Sequence, residues 1–410
     1  MTIRKQVGLI LTGGGARAAY QVGVLDAVAE ILRGEGWAPK RNPFDIICGT
    51  SAGAINATAL ACRADNFGEG VQKLMQVWQH FTVEHVYRAD SLGILRTGAR
   101  WLSLLSFGWL LRQWHAHPPS SLLDNTPLVT MLHRLLDLTA LDAALSNGSL
   151  QALAVTASSY SAGEHITFYQ SAHEIKSWTR SQRRAVKDQI GVEHLLASSA
   201  IPFIFPAIPI YCEGRREYFG DGSMRQLAPI SPAIHLGASK VLVVGAGRMM
   251  APPTDVPAFD HYPSLAQIAG HALSSIFLDG LAVDIERLER INHTLSFLTE
   301  QQRQETPLKP IEMLIISPSK QIDEIAGQHI NSLPKPVRAL LGGLGGTELR
   351  GAALASYLLF ESGYTRELIE MGQRDTYARR QDVVNFFADQ GSELEPALNE
   401  GTGAQVSLAG

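Results

Sequence analysis

Apolar residues in this chain fall into short branched runs closed by glycine turns and longer stretches at helical spacing. Val7–Leu11 (VGLIL) breaks into Thr12-Gly13-Gly14-Gly15, the pattern of a buried strand entering a turn. Residues 16–32 then place Ala19, Val22, Val24, Leu25, Val28, Ile31 and Leu32 mostly at helical spacing, which predicts a helix. Residues 44–48 (FDIIC) predict a second strand, broken by Gly49, and residues 52–63 a helix of small side chains. Further buried strands are expected at 151–158, 240–245 and 311–317. Strands alternating with helices predict an α/β fold whose sheet is mostly parallel. Arg180, Arg183, Arg184 and Lys187 read as the solvated basic face of one more helix, and residues 349–387 also have helical character.

Composition narrows the class. At about 150 residues per domain, 410 residues suggest two to three units, or one elaborated domain with an extension. Charged residues make up only 18% of the chain, below the roughly 25% of typical soluble proteins, and hydrophobic residues 45%, so a large core is available. A net charge of −4 removes the electrostatic footprint of a dedicated nucleic-acid binder. Cys48, Cys62 and Cys212 form no close pair, which excludes a disulfide scaffold and a cysteine-rich zinc site. The run at 7–11 is too short for a signal-peptide core, and no window of 18 uncharged apolar residues predicts a membrane span. A reduced, cytoplasmic location is therefore expected. In residues 96–114, Arg96, Arg100 and Arg112 flank Trp101, Trp109 and Trp114, a mixture that suits an interfacial helix as well as an ordinary core hairpin. Residues 252–263 predict a proline-rich loop, 340–347 a flexible hinge, and 391–410 a disordered tail.

Two turns carry candidate chemistry. Gly49-Thr50-Ser51-Ala52-Gly53 is a G-x-S-x-G between a predicted strand and a predicted helix. A serine on such a turn needs small neighbours for the backbone to bend, and the helix N-terminus behind it offers unpaired N–H groups to developing negative charge. The second turn, Gly13-Gly14-Gly15-Ala16-Arg17-Ala18, admits a dinucleotide fingerprint or an oxyanion hole. The first wants an acid at the end of the next strand, yet that strand ends in the Gly49–Gly53 turn. The second fits: neighbouring parallel strands bring both turns to one carboxyl edge, where Gly13, Gly14, Gly15 and Ala16 can present amides to a tetrahedral intermediate. For a base, His235, His261, His271 and His293 lie downstream, none in a strand-end turn. Asp221, between Gly220 and Gly222 after an aromatic stretch, is the acidic alternative. His115 and His117 lack further ligands and residues 342–346 lack a phosphate-loop Lys-Ser/Thr, so neither a metal nor a cofactor is expected.

Taken together, Gly13–Ala18, Gly49–Gly53 and Asp221-Gly222-Ser223 resemble, in order and spacing, the hallmarks of the patatin-like phospholipases: G-x-G-x-x-G, G-x-S-x-G and D-G-G/A. Leu122–Leu128 and Ala197–Pro202, followed by residues 203–206, are similar to two further stretches, so the resemblance covers about residues 7–247. Ala18 and Ser223 depart from the pattern, and both are small. The resemblance implies a three-layer fold with a mostly parallel central sheet flanked by helices. It implies a catalytic domain at 1–320, with 88–120 an interfacial or lid segment, and a helical extension at 321–390. It also implies a dyad of Ser51 as nucleophile and Asp221 as base, without histidine, cleaving carboxylic esters of phospholipids or lysophospholipids through an acyl-serine. Gly49 and Gly53 would shape the elbow, and Arg17 would add charge near the oxyanion or a headgroup phosphate, unless it is a solvated first-turn arginine. A basic cluster at 180–187 would suit anionic headgroups. The partners implied are the lipid substrate and, transiently, the inner face of a membrane; no nucleic acid is expected, and no oligomeric state is legible. The rivals are a Ser-His-Asp esterase and a lipid-binding protein without catalysis.

Overall fold

The computed structural model describes residues 5–88, 121–247, 262, 264–343 and 352–390. The expectations for 96–114, 252–261 and 391–410 lie outside them, as does the part of the expected hinge beyond Gly343. Ten strands form one sheet: β1 Val7–Leu11, β2 Ile46–Thr50, β3 Ala152–Ser159, β4 His165–Ser171, β5 Thr179–Arg180, β6 Arg183–Lys187, β7 Ile208–Cys212, β8 Arg215–Asp221, β9 Lys240–Val244 and β10 Glu312–Ile316. Their order is β10-β9-β1-β2-β3-β4-β6-β5, with β8 also pairing β3 and β7. The five strands from β10 to β3 run parallel; β4 and β8 turn back antiparallel on β3.

Alternation along these strands feeds two cores, which is why the parallel strands read as unbroken apolar runs. Val7, Leu9, Leu11, Ile47, Leu242 and Val244 face one layer. Ile10, Ile46, Cys48, Val241 and Val243 face the other. The helices are α1 Ala19–Gly34, α2 Ala52–Ala61, α3 Phe67–Gln79, α4 Thr126–Leu135, α5 Leu138–Ser146, α6 Val192–Ser198, α7 Ser231–Leu236, α8 Leu265–Ser274, α9 Gly280–Ser296, α10 Glu300–Glu305, α11 Ile322–His329, α12 Lys335–Gly343, α13 Ala352–Leu358, α14 Ser362–Ala378 and α15 Arg380–Phe387. Helices α1, α2, α3 and α14 build the first layer, α7 and α9 the second. The architecture is thus the three-layer α/β arrangement, with a mostly parallel central sheet between helices.

Three local expectations change. The first helix begins as a 3₁₀ turn, Gly15–Ala18, before α1. The basic run at 180–187 is not helical: Arg180 pairs Arg183 across the β5–β6 edge ribbon. There Arg184 is held by Glu164 at 2.8 Å and Glu217 at 3.2 Å, with Glu213 also bound to it. Its charge is spent on carboxylates within the fold. The third concerns length. Helices α8 and α9 are joined by a π turn, Ser275–Asp279, into one rod that includes Gln267–Ser296. By length and composition this rod is apolar enough to cross a membrane, with 28% of its apolar stretch buried. It carries Asp279, Asp284, Glu286, Arg287, Glu289 and Arg290, so it contains no uncharged apolar window of 18 residues. Asp284 is buried and accepts from the Ile230 amide at 3.0 Å, and Leu281, Ile285 and Leu288 pack into the second core.

Candidate active site

The elbow is built from the β2 end. Ser51 adopts φ 55° and ψ −132°, a conformation that L-residues avoid and that a surrounding structure must enforce. Its neighbours have no room for larger side chains. A Cβ on Gly53 would lie 2.3 Å from the Leu11 carbonyl oxygen, and one on Gly49 would lie 2.5 Å from Ala54 Cα. A residue outside the motif completes the clamp: Ser198, at the end of α6, accepts from the Ser51 amide at 2.8 Å and donates to the Thr156 carbonyl at 2.6 Å. The sequence signal for Ser198 was only its place in the Ala197–Pro202 stretch.

Register delivers the acid. Thr50 lies opposite Thr156 in the β2–β3 pair, and Ala157 lies opposite Asp221 in the antiparallel β3–β8 pair. Asp221 therefore ends its strand beside the elbow, and Ser51 Oγ donates to Asp221 Oδ2 at 2.7 Å. The other oxygen, Oδ1, accepts from the Ser223 amide at 2.8 Å. Both residues are only 1% exposed. Burial pushes the Asp221 carboxyl up to about 6, against hydrogen bonding from Ser51 and Ser223 that favours the carboxylate. The Ser223 hydroxyl is buried against Gly13 and makes no hydrogen bond of ordinary geometry. Asp221 turns on Gly222, where a Cβ would lie 1.9 Å from the Thr156 carbonyl oxygen.

The first glycine turn sits on the same edge. The amides of Gly13, Gly14 and Gly15 precede the first internal bond of the 3₁₀ turn, Arg17 N to Gly14 O at 3.1 Å, so they are not spent within it. Gly15 lines the same cavity as Ser51, at φ 55° and pressed against the Tyr357 backbone. Two buried amides fix this turn. Gln21 donates to the Thr12 carbonyl at 2.7 Å; Asn56 donates to the Ala18 carbonyl at 3.2 Å and to Gln21 at 3.0 Å, and accepts from Trp78 at 2.9 Å. Nothing in the sequence marked Gln21 or Asn56, because a buried amide on a helix leaves no periodic trace.

Arg17 is placed differently from the expectation. Its guanidinium is buried, lies over the Tyr357 ring at 3.9 Å, donates to Ser356 at 2.6 Å and pairs with Asp323 at 2.5 Å. It points into the C-terminal helices and is neither solvated nor open to a headgroup. Among the described residues no histidine hydrogen-bonds Ser51 or Asp221. The ring of His165 bonds the carbonyl of Gly222, next to Asp221, at 3.1 Å, and burial pushes it down to about 4. His235 stacks on Trp178 and bonds Ser231, while His271 and His293 are exposed on α8 and α9. No cluster of metal-ligating side chains occurs among the described residues.

A cavity of about 460 Å³ opens from Ser51. Its walls are mostly apolar, including Ile55, Trp78, Phe81, Met131, Phe205 and Phe360. The site thus joins a strained serine, a buried carboxylate, a glycine turn whose first amides are not spent within it, and an apolar chamber.

The chain is 30% identical over 114 residues to "Uncharacterized protein YjjU" of Escherichia coli (strain K12), a match spanning 28% of this chain and 27% of that one. The crystal structure of VipD from Legionella pneumophila aligns with 90% of this chain and 67% of its own, at 14% identity and a TM-score of 0.27. The family model for patatin-like phospholipases matches residues 9–234, which contain Gly13–Ala18, Gly49–Gly53 and Asp221. With more than half its length inside that match, the chain belongs to the patatin-like phospholipase family.

Proposed function

We propose that this family member is a serine lipid acyl hydrolase that cleaves carboxylic esters of phospholipids or lysophospholipids with Ser51 and Asp221. The observation that carries the reading is the 2.7 Å hydrogen bond from Ser51 Oγ to the buried Asp221 carboxylate, on an elbow of positive φ. A carboxylate of ordinary basicity is a poor base for a hydroxyl; one raised toward 6 by burial is better matched to neutral pH. Asp221 takes the Ser51 proton as Oγ attacks the ester carbonyl, and the oxyanion forms against the Gly13–Gly15 amides and the N-terminus of α2. Collapse expels the alcohol, which takes the proton back from Asp221, and leaves an acyl-serine. Water, deprotonated by the same carboxylate, then releases the fatty acid. Preorganised amides in such a dry site typically supply about 3–4 kcal/mol of barrier reduction each. A substrate of this class brings the enzyme to a lipid surface.

A fluorophosphonate probe is expected to label the wild type and leave Ser51→Ala unlabelled. Wild type, but neither Ser51→Ala nor Asp221→Asn, is expected to release fatty acid from lauroyl lysophosphatidylcholine and from dilauroyl phosphatidylcholine vesicles. Equal release by wild type and Ser51→Ala would end this assignment. The histidine alternative predicts that one of His235→Ala, His261→Ala, His271→Ala or His293→Ala abolishes turnover; the dyad predicts that none does.

A further inference from the structure

The cavity leaving Ser51 has a direction and a length. Along α2 its lining residues are Ala52, Ile55, Asn56 and Ala59, one face of the helix, and Cys62 and Arg63 continue the lining just past the helix end. Ile55 and Ala59 are the only α2 residues that are not buried. Facing them are Leu74, Val77 and Trp78 of α3 and Leu128, Met131 and Leu132 of α4, each set again at i, i+3 and i+4. Three helix faces therefore enclose an apolar trough that starts at the nucleophile. It ends in charge: Arg63, Lys73, Arg134 and Asp137 line the far end, and Glu69 ties Arg63 at 3.6 Å to Lys73 at 2.9 Å. At 1.5 Å per residue, the helix from Ser51 to Cys62 measures about 16 Å. An extended chain with staggered torsions advances about 1.25 Å per carbon, so roughly 12 carbons fill the trough.

We propose that this trough is a single-chain acyl ruler, which selects esters whose transferred acyl chain has about 10 to 13 carbons and rejects longer chains at its charged end. The proposal rests on Ser51 being the acyl acceptor. Ala59 sets the width midway: with its methyl group the trough passes one chain, and a large side chain there closes it. Each methylene placed between the helices leaves water, whereas a carbon beyond Cys62 meets a hydrated ion pair.

The test is a chain-length profile of kcat/KM on p-nitrophenyl esters from butyrate to palmitate, below their aggregation limits. Wild type is expected to gain about two- to fourfold per methylene up to laurate and to lose at least about fivefold by palmitate. Ala59→Phe is expected to lower the ratio of kcat/KM on laurate to that on butyrate about 20-fold or more. Arg134→Leu, at the far end, is expected to gain on palmitate, a result that misfolding cannot imitate. Binding is read separately in Ser51→Ala, where thermal stabilisation by fatty alcohols should peak near 12 carbons. A rising profile through palmitate, or equal loss on every ester in Ala59→Phe, would overturn the ruler. A binding peak near 12 carbons with no ester turnover by wild type would instead overturn the hydrolase reading and leave the trough standing.

Discussion

At the scale of single residues, Ser51 and Asp221 each sit in a state that an ordinary fold avoids. The φ of 55° at Ser51 costs roughly 1–3 kcal/mol in a residue with a Cβ. Ser51→Gly and Ser51→Ala both lose the bond to Asp221, but only glycine relaxes the backbone. Ser51→Gly is therefore expected to be the more stable of the two by about 1 kcal/mol in urea unfolding, after glycine's entropy cost. Equal midpoints would mean that the elbow stores no strain. Asp221 is raised from 3.8 to about 6, so the native state keeps its proton to higher pH than the unfolded chain does. Its burial therefore costs nothing below about pH 4, lowers stability as pH rises toward 6, and costs about 3 kcal/mol above that. Asp221→Asn can still accept from the Ser223 amide and donate to Ser51, so its stability relative to wild type should grow between pH 4 and 7 while turnover is lost. In the wild type kcat/KM should rise about tenfold per unit below pH 6 and level above it. These residues were legible because strain and close approach demand small neighbours, and runs of glycine are visible in a sequence. Ser223 shows the limit: its amide holds Asp221 through backbone geometry, which any residue could supply.

Secondary-structure elements decide where these residues stand, and they do so through polar contacts that periodicity does not report. Ser198 joins α6 to the elbow and to β3 with one hydroxyl. Ser198→Ala leaves two buried backbone groups without that partner, at about 1–3 kcal/mol. It is expected to lower kcat at least about tenfold with KM little changed, because Ser51 is displaced while the cavity beside it is intact. A change in KM alone would deny Ser198 this positioning role. The strands β1, β2, β3 and β9 were legible within a residue or two, since burial on both faces makes them continuous apolar runs, and the edge strand β10 was legible from its apolar run Met313–Ile316 although it is only partly buried. The ribbon at Thr179–Lys187 was not. It lies at the sheet's edge, where charge guards against further pairing, and arginines spaced by three and four imitate a helix face. The π turn at Ser275–Asp279 was equally silent, although it puts Phe277 against Gly13 and stacks it on Tyr357 at 4.9 Å. One extra residue per turn changes which side chain faces the site without altering the apolar pattern.

For the whole molecule, the question is whether the C-terminal helices are an appendage or part of the catalytic fold. Their contacts argue for the second. Helices α1 and α14 cross at two glycines: a Cβ on Gly23 would lie 1.9 Å from the Ile369 carbonyl oxygen, and one on Gly372 would lie 2.3 Å from that of Tyr20. Backbones that close leave no layer of solvent between them. Tyr364, Leu368, Ile369 and Phe387 join the same core as Leu9 and Val24. Farther along, buried Lys240 of β9 meets Glu312 at 3.0 Å and Asp389 at 3.7 Å, tying the end of the described chain to the sheet. Arg17 is the link to the site, since it leaves the first glycine turn and ends among Asp323, Ser356 and Tyr357. Arg17→Met removes the pair between buried Arg17 and half-buried Asp323 together with a cation–π contact, and is expected to cost about 1–3 kcal/mol in urea unfolding and to lower turnover of short esters and laurate alike. A chain ending at residue 320 removes all of these partners at once. It uncovers the apolar face of α1, strands the Arg17 cation, and frees the Gly15 turn that Tyr357 now presses. Such a chain is expected to lose cooperative unfolding, bind the dye ANS and hydrolyse no ester; adding residues 321–410 in trans should restore part of each property. A truncated chain that unfolds cooperatively and keeps butyrate hydrolysis would show instead that residues 5–320 carry the fold alone, and that the close crossing of α1 and α14 was acquired around a finished enzyme.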